Sequence, residues 1–420
     1  MAGRDLTDLF PTYHPFTEKP KEVLKKFKIG KLKGPSEFGT FKKDSGFYKE
    51  CQQQVGKYFK DNNLDYKSMK AGIWRYALIM TFILGPWFIV WTNTFDLSFI
   101  FRWILMIIAG SFQGMLLIHT MHDCSHTAFG HTPAIWKYMG RICLDLTCGC
   151  SFDAWLHQHV VGHHVYTNII EVDPDCPMDK ITDIRRLMPS QVWNPQYRLQ
   201  WIYLPILYCL YAFKNRIQDL TQTLLGQHNG AMRVNPEFYN TESYVRQIVC
   251  KSFWFLRAII YPIFVLKNDF LTEFLPLFLT MELMTGYYLT FNFQVSHVST
   301  EVDWPEALKD SKTGKVNIDG EWAKLQIETS VDYGHESPFQ LCAFWSGALN
   351  YQSVHHLFPS VSQYHYPKIA PIIRKVCKKY DVRFNHIDTF TQAFVAHIRQ
   401  LYHMSMAPKD YQETILKKAN

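Results

Sequence analysis

Residues 73–126 read IWRYALIMTFILGPWFIVW, then TNTFD, then LSFIFRWILMIIAGSFQGMLLI, then HTMHDCSH. Ile73–Trp91 and Leu97–Ile118 each approach the roughly 20 apolar residues that carry a helix across a bilayer. Only Thr92–Asp96 parts them, so the pair reads as a tight helical hairpin. Pro86 is a kink that a membrane helix tolerates. Arg75 and Arg102 sit near the segment starts, where long basic side chains snorkel to the interface. Where the second run stops, histidines begin: His122-Asp-Cys-Ser-His126.

Before this hairpin, residues 1–70 are polar and Lys-rich. After it, residues 119–200 are rich in His, Asp and aromatics. Within them Ile142–Leu156 is too polar to span and reads as a surface stretch. Trp201–Phe213 is apolar but short, which suits an interfacial or buried helix. A second apolar pair follows: Phe253–Leu266, which can extend back through Ile248, and Phe270–Phe291, joined by Lys267–Asp269. Acids inside a membrane are costly and often functional. Glu273 reads as a helix end near the interface, and Glu282 as facing the bundle interior.

Two hairpins return the chain twice to its starting side. The N-terminal region, residues 119–250 and residues 292–420 then share one side and hold nearly all the Lys and Arg. By the positive-inside rule that side is cytosolic, and both termini lie there. The expected fold is an all-α membrane protein: four transmembrane helices in two hairpins, with a cytosolic helical cap.

Composition agrees. The 420 residues are 47% hydrophobic and 16% aromatic, yet mean hydropathy is near zero. A few membrane helices carrying a large water-facing portion reconcile the two. The net charge of +7 suits a face turned to anionic lipid. No basic helix or aromatic-interleaved basic strip is present, so nucleic acid is excluded as a partner. The ten cysteines are scattered and read as reduced thiols. The first apolar run begins near Ile73, so no N-terminal signal peptide is read. No internal repeat is evident.

The chemistry lies in the histidines. Besides His122 and His126 come His157-Gln-His159-Val-Val-Gly-His163-His164, then Gln294-Val-Ser-His297, then Gln352-Ser-Val-His355-His356. Every cluster falls on the shared side, and two directly follow an apolar run. Residues four apart on a helix share a face, which aligns His122 with His126 and His159 with His163. Adjacent histidines point about 100° apart, so His163-His164 can serve two metals. His122, His126, His159, His163, His164, His297, His355 and His356 make eight imidazoles. One zinc needs at most about four protein ligands, whereas eight suits two irons with open positions. Imidazole alone does not choose among iron, zinc, copper and nickel. A lone cysteine in the clusters, Cys124, falls far short of the thiolates an iron–sulfur centre needs. Asp123, Asp153, Asp173 and Asp175 are expected to accept from the far imidazole nitrogens. His119, three residues before His122 on a similar helix face, is either a ligand or, preferably, a residue packing behind them. His159 is preferred to His157 because only it stands four residues from His163. His131, His228, His335, His365, His386, His397 and His403 read as structural or solvent-facing.

At these motifs the sequence resembles the membrane fatty acyl desaturases, the family with three histidine boxes, from about residue 70 to 405. The first box matches His122-Asp-Cys-Ser-His126. The second matches His159-Val-Val-Gly-His163-His164, with Val165-Tyr-Thr-Asn168 and Asp173-Pro-Asp175 after it. The third matches Gln352-Ser-Val-His355-His356-Leu-Phe-Pro359. Gln352 stands where most members have His. That looks like the front-end group, which desaturates between an existing double bond and the carboxyl end. His297 in Phe293-Gln-Val-Ser-His-Val298 matches the family's additional histidine. The run from His355 to Pro367 is most like Δ5 desaturases. The resemblance implies two non-heme irons held by the eight histidines and Gln352, and O2-dependent insertion of a cis double bond. It further implies a fatty acyl-CoA or phospholipid acyl chain as substrate. Electrons would come from cytochrome b5 and its NADH-dependent reductase, at the endoplasmic reticulum membrane. Δ6, Δ4 or sphingolipid desaturation, or hydroxylation on the same scaffold, are the alternatives. A membrane zinc hydrolase is disfavoured by having only four crossing candidates, and a non-catalytic lipid binder by the intact boxes.

Residues 2–15, Ala2-Gly-Arg-Asp-Leu-Thr-Asp-Leu-Phe-Pro-Thr-Tyr-His14-Pro, resemble the second half of a cytochrome b5 domain, with His14 matching one heme ligand. The motif bearing the other ligand is absent, which implies a sequence starting inside that domain and no heme b in this chain. The resulting division is 1–32 as the remnant of that domain, 33–70 as a linker or amphipathic region, 71–405 as the desaturase domain and 406–420 as a cytosolic tail. Lys417-Lys418 in that tail matches an endoplasmic-reticulum retrieval pattern.

Overall fold

The computed structural model describes residues 6–31, 33, 39–177, 181, 183–225 and 241–408. His228 and Lys417-Lys418 lie outside the described residues. The first apolar run forms helix α1 (Ile73–Thr92), closed by Asn93 at φ 47°. The second forms α2 (Phe99–Leu116), which packs back along α1. The third begins earlier than its apolar core suggests, as α3 (Thr241–Phe255), and continues π-helically through Leu256–Val265. Asp269 starts the last element, its carboxylate accepting from the Leu271 and Thr272 amides at 3.2 and 2.8 Å. That element runs through Phe270–Phe274 into α4 (Leu275–His297).

Among the described residues, three helices are long and apolar enough to cross a membrane: Lys70–Thr92, Phe99–Ser125 and Thr241–Val265. The fourth crossing candidate, α4, is long but more polar, and its position explains why. It packs against α2 on one side and against Tyr208–Leu210 and Tyr211–Leu225 on the other. A helix enclosed by protein needs no continuous apolar face, and Glu282, Thr285 and Thr290 are all buried on it. The outer helices carry the lipid-type surface instead, with Phe82, Leu84, Phe88, Phe99 and Phe101 exposed.

α2 and α4 meet at close range. Gln113 Nε2 donates to Thr285 Oγ1 at 3.1 Å, and Thr285 Oγ1 donates to the Gly110 carbonyl at 3.0 Å. A Cβ on Gly286 would overlap the Cys209 carbonyl, whereas one on Gly85 would meet nothing within 4 Å. Gly286→Ala should therefore destabilise by about 1–3 kcal/mol through forced backbone movement. Gly85→Ala should be neutral or slightly stabilising, since Ala is the better helix former. The thermal midpoints of the two detergent-solubilised variants check this pair.

Arg102 departs from its expected role. It is buried, donating to Glu273 at 3.0 Å and to Asn268 Oδ1 at 3.1 Å, while Asn268 donates to the Trp91 carbonyl. Through its two terminal nitrogens the desolvated guanidinium ties the two hairpin ends together. Glu282 faces the interior as expected, ion-paired with Arg216 at 2.6 Å.

The all-α reading needs one correction. Thr40–Lys42, Val316–Glu321 and Ala307–Lys309 form a three-stranded sheet, with Val316–Glu321 central. Asp332–Tyr333 pairs with His386–Ile387. Apart from Val316–Glu321, these strands are of two or three residues, too short to show a period of two. A turn made by Asp310, whose carboxylate accepts from the Thr313 amide at 2.7 Å, closes the hairpin. Ile142–Leu156 is corrected as well: Cys143, Leu144, Cys148 and Phe152 are buried in the core around α2.

The cap is built on Phe47–Asp61 and Tyr366–Lys379, which pack together over Trp322–Glu328 and Gln352–Leu357. Phe47, Cys51, Val55 and Phe59, at every fourth position, form the buried face of the first of these. Part of the stretch read as a linker or amphipathic region thus packs into the cap core as an amphipathic helix. All ten cysteines are free thiols.

Candidate metal centre

The histidine boxes sit at the ends of α2 and α4 remote from the hairpin turns. Around them the backbone leaves the α-helical pattern: Leu117–Met121 and Leu156–His163 are π-helical. Such wide turns are concentrated at functional sites because they re-aim successive side chains. Gln352–Leu357 supplies the third box as a short helix.

All eight histidines converge, and they do so in two groups. His122, His126, His159, His164 and His355 each offer a ligand atom within 4.8 Å of the others, and so do His163, His297 and His356. The adjacent pairs His163-His164 and His355-His356 each divide between the groups. This refines the spacing argument: within the π-helix, His159 joins His164 in the larger group, while His163 falls in the other. His159 and His163 also form a third set with Asp175, within the same 4.8 Å. Gln352 Nε2 lies 2.8 Å from His297 Nε2 and 3.1 Å from His356 Nε2. Amide oxygen and nitrogen are interchangeable by a half-turn of the side chain, so either end of this amide can face the smaller group.

The donor set fits metal. Bonds of about 2.1 Å bring the nitrogens around one ion within roughly 4.2 Å of each other, close to the spread seen here. His126 Nε2, His164 Nε2, His355 Nε2 and Gln352 Oε1 are buried without a hydrogen-bond partner. Each such orphan costs about 1–3 kcal/mol, and an ion would satisfy several at once. Burial and neighbouring imidazoles hold His126, His159, His164, His355 and His356 well below the usual histidine range, so their lone pairs are free. His163 is the exception. Burial pulls it down, but the charge and hydrogen bond of Asp173, with Asp175 behind, hold it at about 8.

Outer hydrogen bonds orient the rings. His163 Nδ1 lies 2.9 Å from Asp173, His356 Nδ1 2.7 Å from Gln326 Oε1, and His355 Nδ1 3.1 Å from the Tyr366 hydroxyl. In all three the far nitrogen, Nε2, is left for the cluster. Asp173 also accepts from the Asn168 amide at 2.8 Å, and Asn168 Nδ2 donates to the His297 carbonyl at 2.9 Å. That joins the second box to the end of α4. Among the expected acids, Asp173 and Asp175 border His163. Asp153 is corrected: it turns away to Ser243, Arg246 and Arg141. The side chain of Asp123 meets Gln363 instead of a histidine. His119 stands behind the cluster, hydrogen-bonded to the Phe344 carbonyl at 2.8 Å. His14 stands apart from both groups, its ring against Phe10. Gln326 carried no motif signal at all, and Tyr366 lay unremarked inside the third-box run.

A cavity of about 690 Å³ opens onto His122, His159, His163, His297 and Gln352. Its walls are mostly apolar: Trp155, Leu204, Leu207, Tyr208, Tyr211 and Phe293. Trp155 stacks on His159 with ring centroids 4.4 Å apart, carrying the apolar wall up to the histidines. A long, narrow hydrocarbon beside a polar metal cage is the ligand these surfaces suit.

Comparison with known proteins agrees with the geometry. The fatty acid desaturase family model matches residues 97–388. The chain is 37% identical to Delta(5) fatty acid desaturase A of Dictyostelium discoideum, over 99% of this chain and 87% of that protein. It is 37% identical to acyl-lipid (8-3)-desaturase of Mortierella alpina, over 97% and 88% of the two chains. It is 32% identical to acyl-lipid (8-3)-desaturase of Physcomitrium patens, over 95% and 82%. Matched along nearly its whole length, the chain belongs to the fatty acid desaturase family, oxidoreductases acting on fatty acyl chains.

Proposed function

We propose that the protein is a front-end desaturase that inserts a cis double bond at carbon 5 of a polyunsaturated acyl chain. The observation that carries this is the pair of adjoining histidine groups opening on one apolar cavity. The names of its Dictyostelium and Mortierella relatives support the Δ5 position.

His122, His126, His159, His164 and His355 would hold one iron. His163, His297 and His356 would hold the other, with Gln352 offering its carbonyl or a bound water. When bound, the iron pair supplies the O2-dependent removal of two hydrogens from neighbouring methylenes. The chain's own residues do the rest. Leu204, Leu207 and Phe293 exclude water and strip the substrate of alternative poses. Trp155, fixed against His159, sets how closely the chain approaches the cage, and that registration decides which carbon reacts. Asp173, Gln326 and Tyr366 hold their imidazoles in one tautomer throughout.

In this reading α1–α4 all cross the bilayer of the endoplasmic reticulum, with the cage and both termini cytosolic. Cytochrome b5 and its NADH-dependent reductase deliver electrons there. The substrate is an acyl-CoA or a phospholipid acyl chain.

Expression in yeast fed C18 and C20 polyenoic acids tests the reading. The expected product carries one new cis bond at carbon 5, and the purified protein carries two irons and no zinc. A bond at carbon 4 or 6 would move it to the other regiochemistries, and a hydroxylated product to the alternative reaction.

A further inference from the structure

The segment Leu6–Phe16 resembles part of an electron-donor domain, yet it is packed into the desaturase. Leu9 is 2% exposed, inserted among Val160, Val161, Val165 and Ile169 beside the second box. Thr12 is fully buried, and its carbonyl accepts from Ser360 Oγ at 2.7 Å. Phe16 stacks on Phe358, two residues past His356, and packs on Phe59 and Tyr66 of the cap. Between these anchors the Tyr13 hydroxyl lies 3.0 Å from His126 Nδ1, with the two rings stacked 6.4 Å apart. His126 Nε2, on the far side of the ring, is buried and unpaired among the other histidines.

This repeats the pattern at His163, His355 and His356, where an outer partner on Nδ1 leaves Nε2 for the cluster. An imidazole that donates Nδ1–H outward keeps the Nε2 lone pair inward and its ring angle fixed. The Tyr13 hydroxyl oxygen can accept this bond through a lone pair.

We propose that Leu6–Phe16 is a strap over the metal cage and that Tyr13 is a positioning residue for His126, fixing its tautomer and ring orientation. The proposal rests on the metal-centre reading above. In the strap's absence His126 alone among the first-box and third-box histidines of the larger group would lose its inter-element orienting bond, while His355 keeps Tyr366.

The test uses full-length protein in detergent, loaded with Fe2+, as wild type, Tyr13→Phe and His126→Ala. Three quantities are read: iron per chain during exposure to a chelator, near-infrared circular dichroism of the diferrous protein, and the thermal midpoint of iron-free protein. Wild type is expected to retain two irons and His126→Ala to retain at most one. Tyr13→Phe should lose iron roughly ten-fold faster, with shifted bands and an unchanged iron-free midpoint. Wild-type retention and unshifted bands in Tyr13→Phe, while His126→Ala loses iron, would overturn the role of Tyr13 and leave the metal centre standing. A lowered iron-free midpoint with unshifted bands would reduce Tyr13 to packing and also overturn it. Wild type that binds no iron would sink the metal-centre reading, and this one with it.

Discussion

His163→Ala is expected to abolish desaturation and to halve iron content while leaving the protein folded and membrane-inserted. His163 belongs to the smaller group with His297 and His356, so its loss leaves that group two imidazoles and an amide. It also removes the ring that Asp173 and Asp175 are arranged to support. The folding cost should be smaller than the catalytic one, because Asp173 keeps the backbone amides of Asn168 and Asp175 as donors. Product analysis by mass spectrometry, beside iron per chain on the same preparation, reads both effects. Measurable product from His163→Ala would remove this residue from the catalytic set.

The second large effect concerns stability. Glu282 and Arg216 form a buried pair whose side chains are 4% and 11% exposed. Arg216 also donates to the Cys148 carbonyl at 2.7 Å and lies over Trp254 at 4.3 Å. One guanidinium therefore links α4, the helix Tyr211–Leu225, the end of the segment Ile142–Cys148 and α3. Glu282→Leu strands that charge in a dry site, which costs about 3–5 kcal/mol. Glu282→Leu combined with Arg216→Leu should recover most of the loss, because removing both charges also removes their desolvation. Thermal midpoints read the stability, and product yield reads the function. Full activity in the double variant makes the pair purely architectural. A stable but inactive double variant would give Glu282 a role beyond this pairing.

The clustered histidines were legible because metal chemistry restricts side-chain type and helical spacing narrows position. All eight proposed ligands fall within the two groups, and His119 falls outside, hydrogen-bonded to a carbonyl. Their supports were less legible. Gln326, Tyr366 and Tyr13 reach histidines from segments distant in sequence, apart from Tyr366, and each carries an ordinary residue with no spacing rule. The π-helical turns were invisible for a related reason: closing a helix at a wider pitch depends on what packs around it. The long helices were readable as apolar runs, but the enclosure of α4 was not, because hydropathy registers composition and not neighbours. Phe47, Cys51, Val55 and Phe59 did carry a helical period, masked by the lysines between them. Arg102 was misplaced because a rule for isolated helices cannot anticipate Asn268 and Glu273 arriving from another hairpin.

The division of His163-His164 and His355-His356 between two groups has an evolutionary consequence. If each group holds an ion, the distance between ions is set largely by two single peptide links, whose Cα–Cα span is about 3.8 Å and chemically invariant. The cavity walls come from elsewhere, at Leu204–Tyr211 and Phe293. Selection can therefore reshape the tunnel for new chain lengths and double-bond positions while the reactive spacing is inherited unchanged.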